Sequence, residues 1–201
     1  APGALMTSSM KTVRIIGGAW KRRQLRFPDA LGLRPTPDRV RETLFNWLGQ
    51  DLSGRRCLDL FAGSGALGFE AASRGAARVV MVEQSPAVAA ALENNARLLA
   101  AVVLVHEHQL RIVRGDALKS APSLSSAEAR FDVVFLDPPF RQGWLERLTP
   151  LLPGLLADDG DIYVEAEHEL DGLGEWQTVR RGRAGQVFYH LMQKGESHDT
   201  Q

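Results

Sequence analysis

Only one cysteine, Cys57, occurs in the 201 residues, so no disulfide can form within the chain. It lies in an apolar run, as a buried core thiol would, and such sparse cysteine fits a reducing, cytoplasmic compartment. No uninterrupted apolar stretch is long enough to span a bilayer, so no membrane partner is expected. The opening "APGALMTSSMKTVR" lacks the basic-then-apolar order of a secretory signal. Residues 1–10 are read instead as a flexible leader, with Met10 nearer a natural start. No internal repeat and no second large domain can be traced. Histidines are few and scattered: His106 and His108 have no third histidine or cysteine nearby, so no zinc site is expected.

Net charge is absent only in sum. Residues 1–41 carry nine basic side chains (Lys11, Arg14, Lys21, Arg22, Arg23, Arg26, Arg34, Arg39 and Arg41) against Asp29 and Asp38, and the remainder is net negative by seven. A basic end on a neutral protein suits a phosphate-binding patch, although a solvated face has the same composition. Val13 to Ile16, the Gly17-Gly18 pair and the mixed stretch Ala19 to Phe27 read as a twisted hairpin, apolar on one face and cationic on the other. Residues 11–35 are assigned to this basic β extension. "GLRPTPDRVRETLFNWLGQ" then opens a helix, with Thr36 as N-cap, Pro37 in the first turn and Gly49 as the stop. Val40, Leu44, Trp47 and Leu48 recur at helical spacing and should face the core. Arg39 and Arg41 fall at the helix end whose dipole disfavours cations, which points to other roles for them.

From Arg56 onward apolar runs alternate with helical segments. Strands are expected near Cys57–Phe61, Val79–Val82, Leu110–Val113, Phe131–Leu136 and Asp161–Val164. Helices are expected from Gly68 to Gly75, over Ala87–Leu99, and over Leu145–Leu156 around a proline bend. "APSLSSAEA" reads as a surface loop or short helix, and Trp176–Arg180 with Gln186–Met192 as a terminal antiparallel pair. Near-continuous apolar strands in strand–helix repeats indicate a doubly wound α/β sheet over residues 36–194, followed by a flexible tail at 195–201.

Two stretches carry chemistry. The first is "LDLFAGSGALGFEA". Gly63 permits a tight turn, Gly65 would let a ligand approach the backbone, and Gly68 would let the helix pack closely on its strand. No lysine follows these glycines, so a nucleoside-triphosphate hydrolase loop is poorly supported. Glu83, which closes the next strand 24 residues after Asp59, can accept both ribose hydroxyls of a nucleoside. Asp116 could bind an adenine amine or order the loop beside the ring, and Asp59 could meet a ligand amine. Phe61, Ser64 and Ala117 complete the cofactor-side set. Together these favour an adenosine-containing cofactor, with NAD a competitor at this point.

The second stretch is "VVFLDPPF". Pro138 and Pro139 stiffen the backbone after the strand and hold Asp137 at its end. Asp137 and the Pro138 carbonyl can accept the two protons of an exocyclic amine, and Phe140 can lie against a flat base. The arrangement suits attack by an amine nitrogen on the methyl of S-adenosylmethionine, which needs neither a metal nor a covalent protein intermediate.

With these residues in view, the chain resembles the RsmD family of bacterial 16S rRNA guanine-N2 methyltransferases over residues 11–192. The resemblance runs through "RIIGGAWKRRQL", "GLRPTPDRVRETLFNWL", "CLDLFAGSGALGFEAASRGA", "VVMVE", "FDVVFLDPPF" and "GQVFYHLM". It implies a class I, Rossmann-like methyltransferase fold with an N-terminal β-hairpin extension. It implies S-adenosylmethionine against Gly63 and Gly65, its ribose on Glu83 and its adenine beside Asp116. Asp137, Pro138 and Phe140 would take the target guanine in 16S rRNA of an assembled or partly assembled 30S subunit. Arg14, Lys21, Arg22, Arg23, Arg26, Arg34 and Arg39 would face rRNA phosphates, and Trp20 and Trp144 would either stack on RNA or pack on the domain. A cytoplasmic monomer is expected. An adenine-N6 or other amino methyltransferase, a noncatalytic rRNA-binding assembly factor and an NAD oxidoreductase remain as competing readings.

Overall fold

The computed structural model describes residues 9–30 and 33–195. Most of the leader expected at 1–10, and the tail expected at 195–201 apart from its first residue, lie outside the described residues. Along the chain the elements are β1 (Met10–Arg14), β2 (Gln24–Pro28), α1 (Asp38–Trp47), β3 (Arg56–Asp59), α2 (Ala66–Ser73), β4 (Arg78–Glu83), α3 (Pro86–Val102) and β5 (Leu110–Arg114). They continue as α4 (Ala117–Ala127), β6 (Phe131–Leu136), α5 (Trp144–Leu148), a 3-10 turn at Thr149–Leu151, α6 (Leu152–Leu155), β7 (Leu156–Ala166), β8 (Gly172–Leu173), β9 (Trp176–Ala184) and β10 (Val187–Lys194).

Eight strands form one sheet in the order β5-β4-β3-β6-β7-β10-β9-β8. The first five run parallel to one another, and β10, β9 and β8 are added antiparallel. Parallel strands are covered on both faces, which is why their residues read as unbroken apolar runs. Alternation then divides them between two cores. Val79, Met81, Val133, Phe135 and Tyr163 pack on the face covered by α1, α2, α3 and the hairpin. Val80, Val82, Val134, Leu136, Ile162 and Val164 pack on the face covered by α4, α5 and α6. Cys57 is buried in the first core, and burial pushes its thiol up to about 12, consistent with an inert thiol.

The strand order reverses between β3 and β6: the chain moves outward from β3 through β4 to β5, then returns to lay β6 on the other side of β3. The carboxyl ends of two adjacent strands therefore diverge into a crevice, the usual ligand position in an open α/β sheet.

β1 and β2 pair antiparallel from Met10↔Pro28 to Arg14↔Gln24 and form a separate two-stranded sheet. Their apolar face is not a surface feature. Val13, Ile15, Trp20, Leu25 and Phe27 are buried in the same core as α1 and α2, each full burial contributing about 1.5–3 kcal/mol. The loop between them docks on the end of α2. Ala19 N–H donates to the Ser73 carbonyl at 2.8 Å, and Trp20 N–H to Ser73 Oγ at 2.9 Å. A Cβ on Gly18 would come within 1.9 Å of the Ser73 carbonyl oxygen, so Gly18 is required for this backbone approach. Trp20 itself is buried, its indole N–H donating to the Val103 carbonyl at 2.9 Å, which removes it from any RNA-stacking role.

One local expectation changes, and one left open between loop and helix resolves to helix. Thr36 does not cap α1: Pro37 occupies the cap position without a side-chain bond, and the Thr36 hydroxyl donates instead to Glu165 at 3.0 Å. "APSLSSAEA" lies mostly within α4, a full eleven-residue helix with Pro122 inside it. At the other end of α1 the predicted stop holds. Gly49 adopts φ 95°, with Gly49 N–H bonded to the Asn46 carbonyl and Gln50 N–H to the Phe45 carbonyl.

Candidate active site

At the β3–β6 crevice lies a cavity of about 620 Å³. Its walls come from the glycine loop after β3 (Phe61, Gly63, Ser64), the end of β4 (Glu83), the β5–α4 junction (Gly115, Ala117) and the corner after β6 (Asp137 to Phe140). Arg34 and Thr36 from the segment ahead of α1 line it too. The two chemistry-bearing stretches, about eighty residues apart in sequence, thus meet because β3 and β6 are neighbours.

The loop is tied to the acid that follows the next strand. Glu83 accepts from Gly63 N–H at 2.9 Å and from Ser85 N–H at 3.0 Å, so its carboxylate is oriented at the cavity wall. Gly65 serves differently from the expectation. Its φ is 82° and it is buried. A Cβ there would meet the Phe69 ring and Leu92 at 2.5–2.7 Å, so its bare side faces the protein interior. The cavity wall at this point is Gly63 and Ser64. Gly68 lies against Met81 and Val79, as close helix–strand packing requires. Asp116 caps α4, accepting from Leu118 N–H at 2.8 Å and Lys119 N–H at 3.1 Å, while its neighbours Gly115 and Ala117 line the cavity. Its carboxylate orders the loop.

The floor is strongly acidic. Asp59 is buried and accepts from Phe61 N–H at 3.1 Å. Burial, reinforced by Glu83 and Glu165, pushes its carboxyl up to about 7. Asp137 is raised well above the usual carboxylate range, first by withdrawal from water and then by the charge and hydrogen bond of Glu165. Among the described residues, Asp59, Glu83, Asp137 and Glu165 have no ion-pair partner. A cluster of acids without cationic partners, lining a cavity of about 620 Å³, suits a cationic ligand such as a sulfonium nucleoside.

The sign of the Asp59 effect on stability follows from its raised value. The folded protein holds this proton up to about pH 7 whereas the unfolded chain releases it near pH 4, so the contribution is complete at low pH and is lost as pH rises through about 7. His190, lowered by burial, acts in the opposite sense. Asp59→Asn should therefore gain stability relative to the wild type as pH rises from 5 to 8. Thermal melts of the two proteins without ligand measure the difference, and parallel pH profiles would contradict the assignment.

Glu165 escaped the sequence reading. It is 7% exposed, lines the cavity, and accepts from Thr36 Oγ1 at 3.0 Å and from the Tyr163 hydroxyl at 2.6 Å. Phe140 stands 37% exposed at the rim. Trp144 packs edge-on to Phe61 with centroids 5.3 Å apart and beneath the Arg147 guanidinium at 4.5 Å, so it buttresses the wall.

The basic residues separate into two kinds. Lys21, Arg22, Arg23, Arg26 and Arg39 are exposed and, among the described residues, make no ion pair; Arg34 is exposed at the cavity. Arg14 is exposed but pairs with Asp38 at 3.2 Å. Arg41, by contrast, is fully buried: it donates to Asp38 at 2.5 Å, to the Arg14 carbonyl at 2.8 Å, to the Thr36 carbonyl at 3.0 Å and to Glu70 at 3.4 Å. Glu70 in turn accepts the Ile16 and Gly17 N–H groups. Arg41 is the hub that joins hairpin, α1 and α2.

A family model described as "Conserved hypothetical protein 95" matches residues 13–193. The chain is 46% identical to ribosomal RNA small subunit methyltransferase D of Escherichia coli K12, covering 92% of this chain and 93% of that protein. It superposes on the solved structure of a putative methyltransferase, yhhF, from Escherichia coli with a TM-score of 0.78 at 44% identity, covering 92% of this chain and 98% of that one. An RNA methyltransferase of Salinibacter ruber, solved with S-adenosyl-L-homocysteine, shares the fold at a TM-score of 0.61 and 19% identity, covering 81% and 95%. With the glycine loop, the Asp-Pro-Pro-Phe corner and most of the hairpin inside the matched span, the chain belongs to the ribosomal RNA small subunit methyltransferase D family and has the S-adenosylmethionine-dependent methyltransferase fold.

Proposed function

We propose that this methyltransferase transfers a methyl group from S-adenosylmethionine to the N2 amine of one guanine in 16S rRNA of the small ribosomal subunit. The observation that carries the reading is the meeting, in one crevice, of the glycine loop with Glu83 and the stiff Asp137-Pro138 corner. Gly63, Ser64, Glu83 and Ala117 would hold the cofactor, which when bound supplies an electrophilic methyl on a sulfonium sulfur. Asp137 and the Pro138 carbonyl would each accept one proton of the amine, turning the nitrogen lone pair toward that methyl. As the nitrogen–methyl bond forms and the methyl–sulfur bond breaks, S-adenosylhomocysteine would be the leaving group, the acids around the nitrogen would favour its gain of positive charge, and its extra proton would pass to one of them or to water after attack. Phe140 at the rim gives a flat surface for a base presented out of its stack.

The hairpin and the residues beside it (Lys21, Arg22, Arg23, Arg26, Arg34, with Arg14 and Arg39) would track rRNA phosphates and position the subunit without reading its sequence. Residues 11–35 would thus be the RNA-gripping extension of a catalytic body at 36–194, working as a cytoplasmic monomer. Arg22→Ala combined with Arg23→Ala should flatten the slope of log affinity for small subunits against log salt by about 1–2 units, with the largest loss at low salt. An unchanged slope would move the patch elsewhere.

The base is tested by transferring labelled methyl to small subunits from cells lacking this activity, then analysing product nucleosides. N2-methylguanosine is expected. Labelled N6-methyladenosine would keep the chemistry and overturn the base, and absence of label with cofactor bound would favour a binding-only assembly factor.

A further inference from the structure

We infer that Glu165 is the residue that selects guanine: its carboxylate accepts the guanine N1–H while Asp137 and the Pro138 carbonyl hold the N2 amine beside it. The inference rests on the amine-methylating reading of this cavity and goes beyond it by naming what rejects other bases.

The sheet register brings the two acids together. β6 and β7 run parallel with Leu136 opposite Val164, so the next residues, Asp137 just past β6 and Glu165 within β7, stand side by side. Both follow the alternation of Phe135 and Tyr163, on the core face shared with α1. Glu165 also lines a second cavity of about 450 Å³, which meets the first at Pro138, Phe140 and Trp144, so the acid stands where the two join. Its orientation is fixed from behind. One oxygen, Oε1, takes both hydroxyl donors, Thr36 and Tyr163. Among the described residues, no hydroxyl or N–H donor is spent on the other oxygen, which is left for a ligand in the cavity. Two hydroxyls spent on holding one carboxylate in a ligand cavity indicate a preorganised acceptor.

The base edges supply the selectivity. Next to its exocyclic amine, guanine carries a donor, N1–H. Adenine carries an acceptor at N1, and cytosine one at N3. With any of these amines seated on Asp137 and Pro138, a neighbouring carboxylate gains a hydrogen bond only from guanine and faces a lone pair on the others. A buried acceptor left unmatched in this way typically discriminates by about 10²–10⁴-fold.

The test uses small subunits reconstituted with 16S rRNA carrying, at the mapped target position, either guanine or 2-aminopurine. The latter keeps the 2-amine but has an acceptor at N1. Wild-type kcat/KM should favour guanine by at least about 100-fold. Glu165→Gln keeps an acceptor for Thr36 and Tyr163 but can also donate, so it should lose activity on guanine and compress the ratio to within about tenfold, with S-adenosylmethionine affinity unchanged. Equal wild-type rates on the two bases would overturn the inference without any variant. A variant that folds, binds cofactor and keeps the wild-type ratio would also overturn it. Failure of the wild type to make N2-methylguanosine on the guanine subunit would instead bring down the underlying reading.

Discussion

Asp137→Ala is expected to lower methyl transfer to small subunits by about two to three orders of magnitude while leaving S-adenosylmethionine affinity within about threefold of wild type. The asymmetry follows from position. Asp137 sits at the end of β6, across the crevice from the loop and Glu83, so its proposed contact is with the amine and not with the cofactor. The same substitution removes a carboxyl crowded by Glu165 and Asp59 and starved of water. The ligand-free protein should therefore melt no lower than wild type, as expected where an active site holds groups that oppose folding. Single-turnover transfer, calorimetric cofactor binding and a thermal melt on one preparation measure all three. Joint loss of folding and cofactor binding would make Asp137 a structural residue.

Arg41→Ala is expected to destabilise the protein by about 3–5 kcal/mol, the usual consequence of removing one partner from a buried ion pair. For a chain of this size the melting temperature should fall by roughly 10 °C. Arg41 is fully buried, with Asp38, Glu70 and two backbone carbonyls as acceptors, and burial lowers its own proton affinity against the pull of both acids. Without it Glu70 keeps Arg74 at 3.5 Å and the two hairpin N–H groups, but the tie between α1 and β1 is gone. Arg39→Ala, two residues away and exposed, should shift stability by no more than about 0.5 kcal/mol. Equal melting temperatures for the two variants would refute the hub.

That pair also marks what could be read from residues alone. Val40, Leu44, Trp47 and Leu48 define the inward face of α1 by their spacing; the structure buries Val40, Leu44 and Leu48 and leaves Trp47 half-buried against the same core. Arg41 lies beside them on that face with Phe45, yet a charge is spelled alike whether it meets solvent or a partner 29 residues on. The parallel strands were legible because a strand covered on both faces is apolar throughout, and β6 falls on the expected residues. The glycine loop and the Asp-Pro-Pro-Phe corner were legible because their backbone demands specific residue types. Glu165 was not. Its neighbours in "IYVEAEHEL" suggest only a strand running into an acidic loop, and its significance depends on Thr36, 129 residues earlier, and on the β6–β7 register. Thr36 looked like a helix cap for the same reason: the local pattern fits, but a distant acceptor competes for the hydroxyl.

One crevice would present a methyl donor to an amine held by Asp137 and Pro138. The most direct measurement is a crystal structure of this chain with S-adenosylmethionine. The ribose hydroxyls should lie within hydrogen-bonding distance of Glu83, and the sulfonium methyl should point across the switch point toward Asp137 and the Pro138 carbonyl. A cofactor seated with its methyl turned away from that corner, or bound without Glu83, would contradict the account.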